Sequence, residues 1–307
     1  MLSRTAANLY WTGRYVERAD ATARLLDMGA RMTMLPGAAA RGDWQSVLQA
    51  AGAGMSDEEL VGRREAIGLL LLAPEGGSSV RSALGSARAN ARAERMALTT
   101  QAWEALNDDW RALDGVTEAE ASGNLAAHIE WTQRRAATFR GAVETTMLRD
   151  DRYDFVRLGG LVERAAMTLR LLDVKHLALL PERDVIGGGR DLHQWTSLLL
   201  AASALRAYHH AYRGDVGARN VADLLVLNRA FPRSVIFCVA EAATSLDRLA
   251  ARYEARTEAQ ALAGTLRARL DAASTDEVFS DGLHEFVQAA LSDVLDLHAA
   301  TAAAYGF

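Results

Sequence analysis

One segment of this chain is written twice, and that repeat limits the folds open to it. Residues 8–27 read NLYWTGRYVERADATARLLD and residues 154–173 read DFVRLGGLVERAAMTLRLLD. At an offset of 146, ten of the twenty positions agree, among them Gly13/Gly159, Glu17/Glu163, Arg18/Arg164 and Arg24/Arg170. A second match follows in order: residues 44–53 and 195–204 agree at six of ten positions at offset 151, including Trp44/Trp195. A third, weaker pair sets Leu69–Leu72 against Leu224–Leu227, and Arg81-Ser82 against Arg233-Ser234. Alanine and leucine bias can produce aliphatic identities, but not Trp, Gly and Glu-Arg in register. The expected organisation is two similar halves, 1–148 and 149–307, packed as one body about a pseudo-twofold axis.

Both copies have a helical period. From Ser3 to Met34, apolar residues at Leu9, Val16, Ala19, Ala23, Leu26 and Ala30 recur by three, four and seven. The same spacing predicts helices near 43–52, 56–71, 79–112, 117–148, 152–178, 190–212, 218–228, 232–253, 257–272 and 280–304. Val235–Val239 is the most strand-like run, but helical spacing continues through Leu249, so it reads as a buried helix. The fold class is all-α, a helical bundle with essentially no sheet. The four prolines punctuate it: Pro36 and Pro181 in connections, Pro74 before a Gly/Ser loop with a Ser N-cap, Pro232 in a helix's first turn.

Composition narrows the function classes. Half of the 307 residues are hydrophobic, which excludes a disordered chain. Acidic residues number 39 against 34 basic ones, a balance that argues against a nucleic-acid partner. A single cysteine excludes an intramolecular disulfide framework and suits a reducing compartment. The start, Met1-Leu2-Ser3-Arg4, leads into no apolar core, and the longest aliphatic stretch, near Leu69–Ala73, is far too short to cross a bilayer. A soluble cytoplasmic protein without a membrane partner is expected.

The repeated Glu-Arg helices hold the informative polar residues. Glu17 and Arg24 are seven apart and share a helix face, with Gly13 one turn earlier where a missing side chain makes room for a neighbour. If the two copies cross antiparallel near residues 20 and 166, Glu17 faces Arg170 and Glu163 faces Arg24. Such a cluster either fixes helix register or builds a binding cleft from Glu17, Arg18, Arg24, Glu163, Arg164 and Arg170. Arginines grip a carboxylate or phosphate bidentately, and glutamates would take an amine, so a zwitterionic amino acid or peptide end satisfies both. Arg81 and Arg233, at helix starts, are further anion candidates. Tyr10, Trp11 and Arg14 form an aromatic-basic group that serves either as core with an arginine lid or as a stacking surface. Trp44 and Trp195 read as core anchors. Asp173-x-x-His176 and His284-Glu285 fall short of metal motifs, and Cys238, between Ile236, Phe237 and Val239, reads as buried and inert. No P-loop, Rossmann or nucleophile-elbow motif is present, so neither a metal nor a cofactor is expected.

Leu2-Ser3-Arg4, Asn8-Leu9-Tyr10-Trp11, Gly13-Arg14-Tyr15, Glu17-Arg18-Ala19, Arg81-Ser82, Leu158-Gly159, Glu163-Arg164-Ala165 and Pro232-Arg233-Ser234-Val235 together resemble the bacterial alpha-E family, along nearly the whole chain. Two positions depart from the family pattern. Ala89 stands where Glu is usual, and Gly160 stands where Arg commonly follows the glycine. The resemblance implies an all-helical protein with no assigned reaction. It also implies association with a circularly permuted ATP-grasp ligase, often accompanied by a transglutaminase-like peptidase, in making or modifying a peptide or amide-linked metabolite. Three roles follow: a scaffold or substrate-docking accessory of that ligase, an enzyme using Glu17 or Glu163 as acid/base, or a helical adaptor that pairs with a second copy of itself.

Overall fold

A computed structural model describes residues 1–34, 40–53, 61–108, 110–177, 187–280 and 282–307. Among the described residues there are fifteen α-helices and no strand. The first half runs α1 (Ser3–Met32), α2 (Ala40–Ala51), α3 (Arg63–Ile67), α4 (Val80–Ala93), α5 (Thr100–Asn107), α6 (Glu118–Gly123) and α7 (Leu125–Thr146). The second runs α8 (Asp151–Leu177), α9 (Gly189–Ala201), α10 (Leu205–Ala211), α11 (Ala218–Ala222), α12 (Val235–Tyr253), α13 (Glu258–Ala272), α14 (Thr275–Ser280) and α15 (Leu283–Tyr305). Single π-helical turns at Gly68–Leu72 and Asp223–Leu227 precede α4 and α12.

Two long helices, α1 and α8, form the axis of the molecule. They meet at glycine: a Cβ at Gly13 would lie 2.0 Å from the Val156 carbonyl oxygen, and one at Gly159 would lie 2.0 Å from the Tyr10 carbonyl oxygen. No side chain fits in that space, so backbone packs on backbone. The register is parallel. Hydrogen-bonded pairs across the interface keep a nearly constant separation, with |i−j| of 149, 145 and 147 for Arg14/Glu163, Arg18/Glu163 and Arg164/Glu17. An antiparallel pair would hold the sum of the numbers constant instead. The antiparallel crossing expected near residues 20 and 166 is therefore replaced by a parallel one at the glycines.

Around this axis, corresponding elements make corresponding contacts. Helix α4 packs on α1 and α12 on α8; α5 packs on α7 and α13 on α15. Helix α2 also lies on α8, and α9 on α1, so each half covers the other's long helix. Ser79 caps α4 by accepting from the Ser82 amide and donating to the Ala73 carbonyl; Ser234 caps α12 by accepting from the Phe237 amide and donating to the Asn228 carbonyl. Thr22 donates to the Ser78 carbonyl and Thr168 to the Arg233 carbonyl, clamping each loop to its long helix.

These caps shift the third sequence match. Ser79 and Ser234 correspond at the same 155-residue offset as Leu69/Leu224, so Arg233 has Ser78, not Arg81, as its counterpart. Pro232 consequently lies outside the helix, ahead of its cap. Several expected helices divide. The 79–112 stretch breaks after Ala93, where Thr99 starts a new helix by accepting from the Ala102 amide. The 117–148 stretch breaks at Asn124, and 190–212 breaks at Ser203, whose φ of 54° is left-handed. Pro36, Pro181 and positions 56–60 lie outside the described residues. Trp44, Trp195 and Cys238 are core, as expected, and burial pushes the Cys238 thiol up to about 12.

Candidate functional site

The Glu-Arg dipeptides face each other across the α1/α8 contact. Arg164 donates Nε to Glu17 Oε1 at 2.8 Å and Nη2 to Oε2 at 2.9 Å. Reciprocally, Arg18 donates Nε to Glu163 Oε1 at 2.6 Å and Nη2 to Oε2 at 3.1 Å. Both pairs are bidentate, the geometry that makes Arg–carboxylate bonds strong. Parallel packing sets this pairing, because position 17 of one copy then lies beside position 18 of the other.

Arg24 and Arg170 are not the partners of the glutamates. Arg24 Nη1 donates to the Ala201 carbonyl at 2.7 Å and to Ser203 Oγ at 2.8 Å, and its Nη2 lies 3.3 Å from Asp20. Arg170 Nη1 donates to the Ala50 carbonyl at 3.3 Å. Each arginine thus covers the carbonyl end of α9 or α2, the helix that crosses over from the other half. A guanidinium there meets unsatisfied carbonyls and the negative end of the helix dipole.

Beyond the shared bidentate pair, the two centres differ. Glu163 also receives Arg14, whose Nε donates to Oε2 at 2.7 Å, and Arg14 lies over the Trp11 ring at 4.9 Å. Glu17 instead receives Arg140 Nη1 at 3.0 Å from α7 and Arg233 Nη1 at 3.3 Å from the turn before α12. Arg140 and Arg233 also hold Asp20 Oδ2, at 3.1 and 2.7 Å. Asp20 and Arg140 are site residues that the repeat could not reveal. Asp20 has Ala166 as its counterpart. The available signal for Arg140 is its place on the α7 stripe with Ala136, Val143 and Met147, a charge on an otherwise buried face. Arg81 does not join the site: it is on the surface, paired with Asp114 at 2.8 Å.

Both glutamates are sealed, each with 2% of its side chain exposed. Burial alone would raise their pKa values. The nearby guanidiniums outweigh it: Arg164, Arg140 and Arg233 hold Glu17 well below the carboxylate range, and Arg14 and Arg18 lower Glu163. Asp20 is lowered too, with burial and Glu17 opposing Arg233, Arg24 and Arg140. A general acid or base needs a pKa near the working pH and access to its proton. Neither Glu17 nor Glu163 meets these conditions.

The Glu17 centre opens into a groove of about 380 Å³, within the roughly 300–1,000 Å³ of small-ligand pockets. Val16, Phe139, Val143, Leu161 and Phe237 supply its apolar wall, and Glu17, Arg140, Arg164 and Arg233 form its polar end. Arg157 and Glu144 also line the groove; Arg157 donates to Glu144 at 2.6 Å and also to Glu241. Among the described residues, Arg24, Arg140, Arg149, Arg157, Arg164 and Arg233 make six positive charges, against the four carboxylates Glu17, Asp20, Glu144 and Glu241. The excess lies at the Glu17 end, where four arginines meet Glu17 and Asp20.

The family model that matches this chain describes a predicted alpha-helical domain with a conserved ER motif, and the match covers residues 1–305. No curated protein and no solved structure matches the chain. Glu17-Arg18 and Glu163-Arg164 are two Glu-Arg dipeptides of this chain, and the structure joins them into one reciprocal network.

Proposed function

The chain belongs to the Alpha-E family, and from that premise and the geometry of the Glu17 groove we propose that it is a substrate-docking accessory of an amide-forming ligase. The observation that carries the reading is the groove itself: an apolar wall ending in three arginines, with positive charge in excess over the carboxylates they meet. That arrangement suits a carboxylate, the group an amide ligase of the ATP-grasp type activates with ATP. Arg140 commits only Nη1 to Glu17 and Asp20 among the described residues, leaving other N–H groups for an incoming oxyanion. Glu163 and Arg18 serve instead as structure, locking the two long helices in register.

An enzyme that uses Glu17 or Glu163 as acid/base is the weaker reading, because both carboxylates are sealed and held ionised by arginine. The decisive experiment co-purifies the chain with an amide ligase of the ATP-grasp type and compares ATP turnover with and without it. The docking reading expects a complex and faster turnover, both lost in Arg140→Gln. No complex and unchanged turnover would remove it.

A further inference from the structure

The 146-residue offset relates every groove position on α8 to one on α1, and the comparison shows that the second centre is filled. Val156, Arg157, Gly160 and Leu161 line the groove. Their counterparts on α1 are Tyr10, Trp11, Arg14 and Tyr15. These larger side chains pack on one another. Trp11 and Tyr15 have ring centroids 5.3 Å apart, Arg14 lies over Trp11, and His298 from α15 stacks on Tyr10 at 5.6 Å and meets Trp11 edge-on at 5.3 Å. The Glu163 centre therefore keeps its arginines, but aromatic rings and Arg14 stand where the Glu17 centre has its groove. At the Glu17 centre the position of Arg14 belongs to Gly160. A Cβ there would meet only the Gly13 carbonyl oxygen, at an ordinary 3.7 Å. Unlike Gly13 and Gly159, then, Gly160 is not required by helix packing.

The groove's acidic residues limit what can enter. Among the described residues, Glu17 and Glu144 are the acidic ones that line it. Glu17 is taken by three arginines; Glu144 is taken by Arg149, Arg157 and the Tyr153 hydroxyl. Neither is left for an ammonium group. A free amino acid would bring its own uncompensated cation into the groove, whereas an acylated amine brings none.

We infer that the chain holds one ligand, not two, that Gly160 is the residue that keeps its site open, and that the occupant is the C-terminal end of a peptide with a hydrophobic last residue. This rests on the docking reading. The carboxylate lies at Arg140 and Arg233, the last side chain lies against Phe139, Val143 and Phe237, and the preceding amide leaves by the open side. Glu17 takes no part beyond orienting the arginines.

Calorimetric titration with N-acetyl-phenylalanine, its primary amide and free phenylalanine tests the inference. The expected result is one equivalent of N-acetyl-phenylalanine per chain, with the amide and the free amino acid each at least about tenfold weaker, since hydrogen bonds to an ionised acceptor are the strong ones. Gly160→Ala retains binding. Gly160→Arg, which places at the groove what Arg14 places at the filled centre, abolishes it, and Phe237→Trp weakens it from the α12 side whether or not Gly160→Arg folds. Two equivalents, equal binding of free phenylalanine, or unchanged binding in folded Gly160→Arg would each overturn the inference and leave the docking reading standing. Failure of the wild-type chain to bind any of the three would overturn both.

Discussion

Glu17 and Glu163 occupy equivalent places in the repeat, yet their surroundings predict different responses to mutation. Glu163 is the carboxylate partner of Arg14, whose side chain is 5% exposed. Removing it strands a buried guanidinium. Glu163→Gln is expected to cost about 3–5 kcal/mol in urea denaturation, the range for breaking a buried pair. Glu17→Gln leaves Asp20 beneath Arg140 and Arg233, and its arginines are more exposed, so it should cost clearly less; equal losses would contradict this account. A second residue-scale prediction concerns acid. Burial, with Arg14 and Arg18 nearby, lowers the His298 imidazole to about 4 from 6.5. The folded state then binds fewer protons than the unfolded one between those values. Stability from His298 is complete above about 6.5 and is lost as pH falls toward 4. The lowered pKa of Glu163 acts in the same sense below the carboxylate range. In His298→Phe the decline between pH 6.5 and 4 should flatten, and a slope identical to the wild type would show that His298 is not its source. At this scale Glu-Arg was legible from the sequence but its partners were not. Which arginine a glutamate meets depends on helix direction, and the spacing within one helix does not contain that information.

The helices owe their contact to two glycines, and each expected substitution outcome follows from what the missing Cβ would meet. At Gly13 and Gly159 it would strike a carbonyl oxygen at 2.0 Å, and backbone cannot rotate away as a side chain can. Gly13→Ala or Gly159→Ala should therefore destabilise by at least about 3 kcal/mol, the upper part of the overpacking range. Gly160→Ala, one residue on, should change stability little or raise it slightly, because alanine favours helix. Circular dichroism melts of the three variants check the order. Conversely, the helix breaks at Glu94–Leu98, Asn124 and Ser203 escaped the periodicity, since the apolar spacing continues across them. Thr99 could have been recognised as a cap and Gly123-Asn124 as a stop, but Ser203 is held by Arg24 of the distant α1, which local pattern does not record. The leucines that the third sequence match set side by side both lie in π-helical turns, and Trp44 and Trp195 are both buried.

The whole molecule is braced by exchange between its halves. Helix α2 lies on α8 and α9 on α1, Arg24 covers the end of α9, and Arg170 covers the end of α2. Neither half keeps these partners when alone. In residues 1–148, Glu17 would retain Arg140 but lose Arg164 and Arg233, Arg14 would lose Glu163, and the apolar face of α1 that meets α8 would lie open to water. Exposure of that face costs roughly 25 cal/mol per Å² of apolar surface, on top of unpaired arginines beside a backbone-packed groove. Two such halves can each have a helical sequence without a stable fold. Expressed separately, 1–148 and 149–307 are expected to show helical circular dichroism without a cooperative thermal transition. Mixed, they should recover a single transition and, if the groove is the docking site, binding of N-acetyl-phenylalanine as well. A sharp cooperative melt of either half alone would mean that the crossed α2 and α9 contacts are incidental. It would also mean that the groove, which draws its walls from α1 and α7 on one side and α8 and α12 on the other, is a seam between two finished domains rather than part of a shared core.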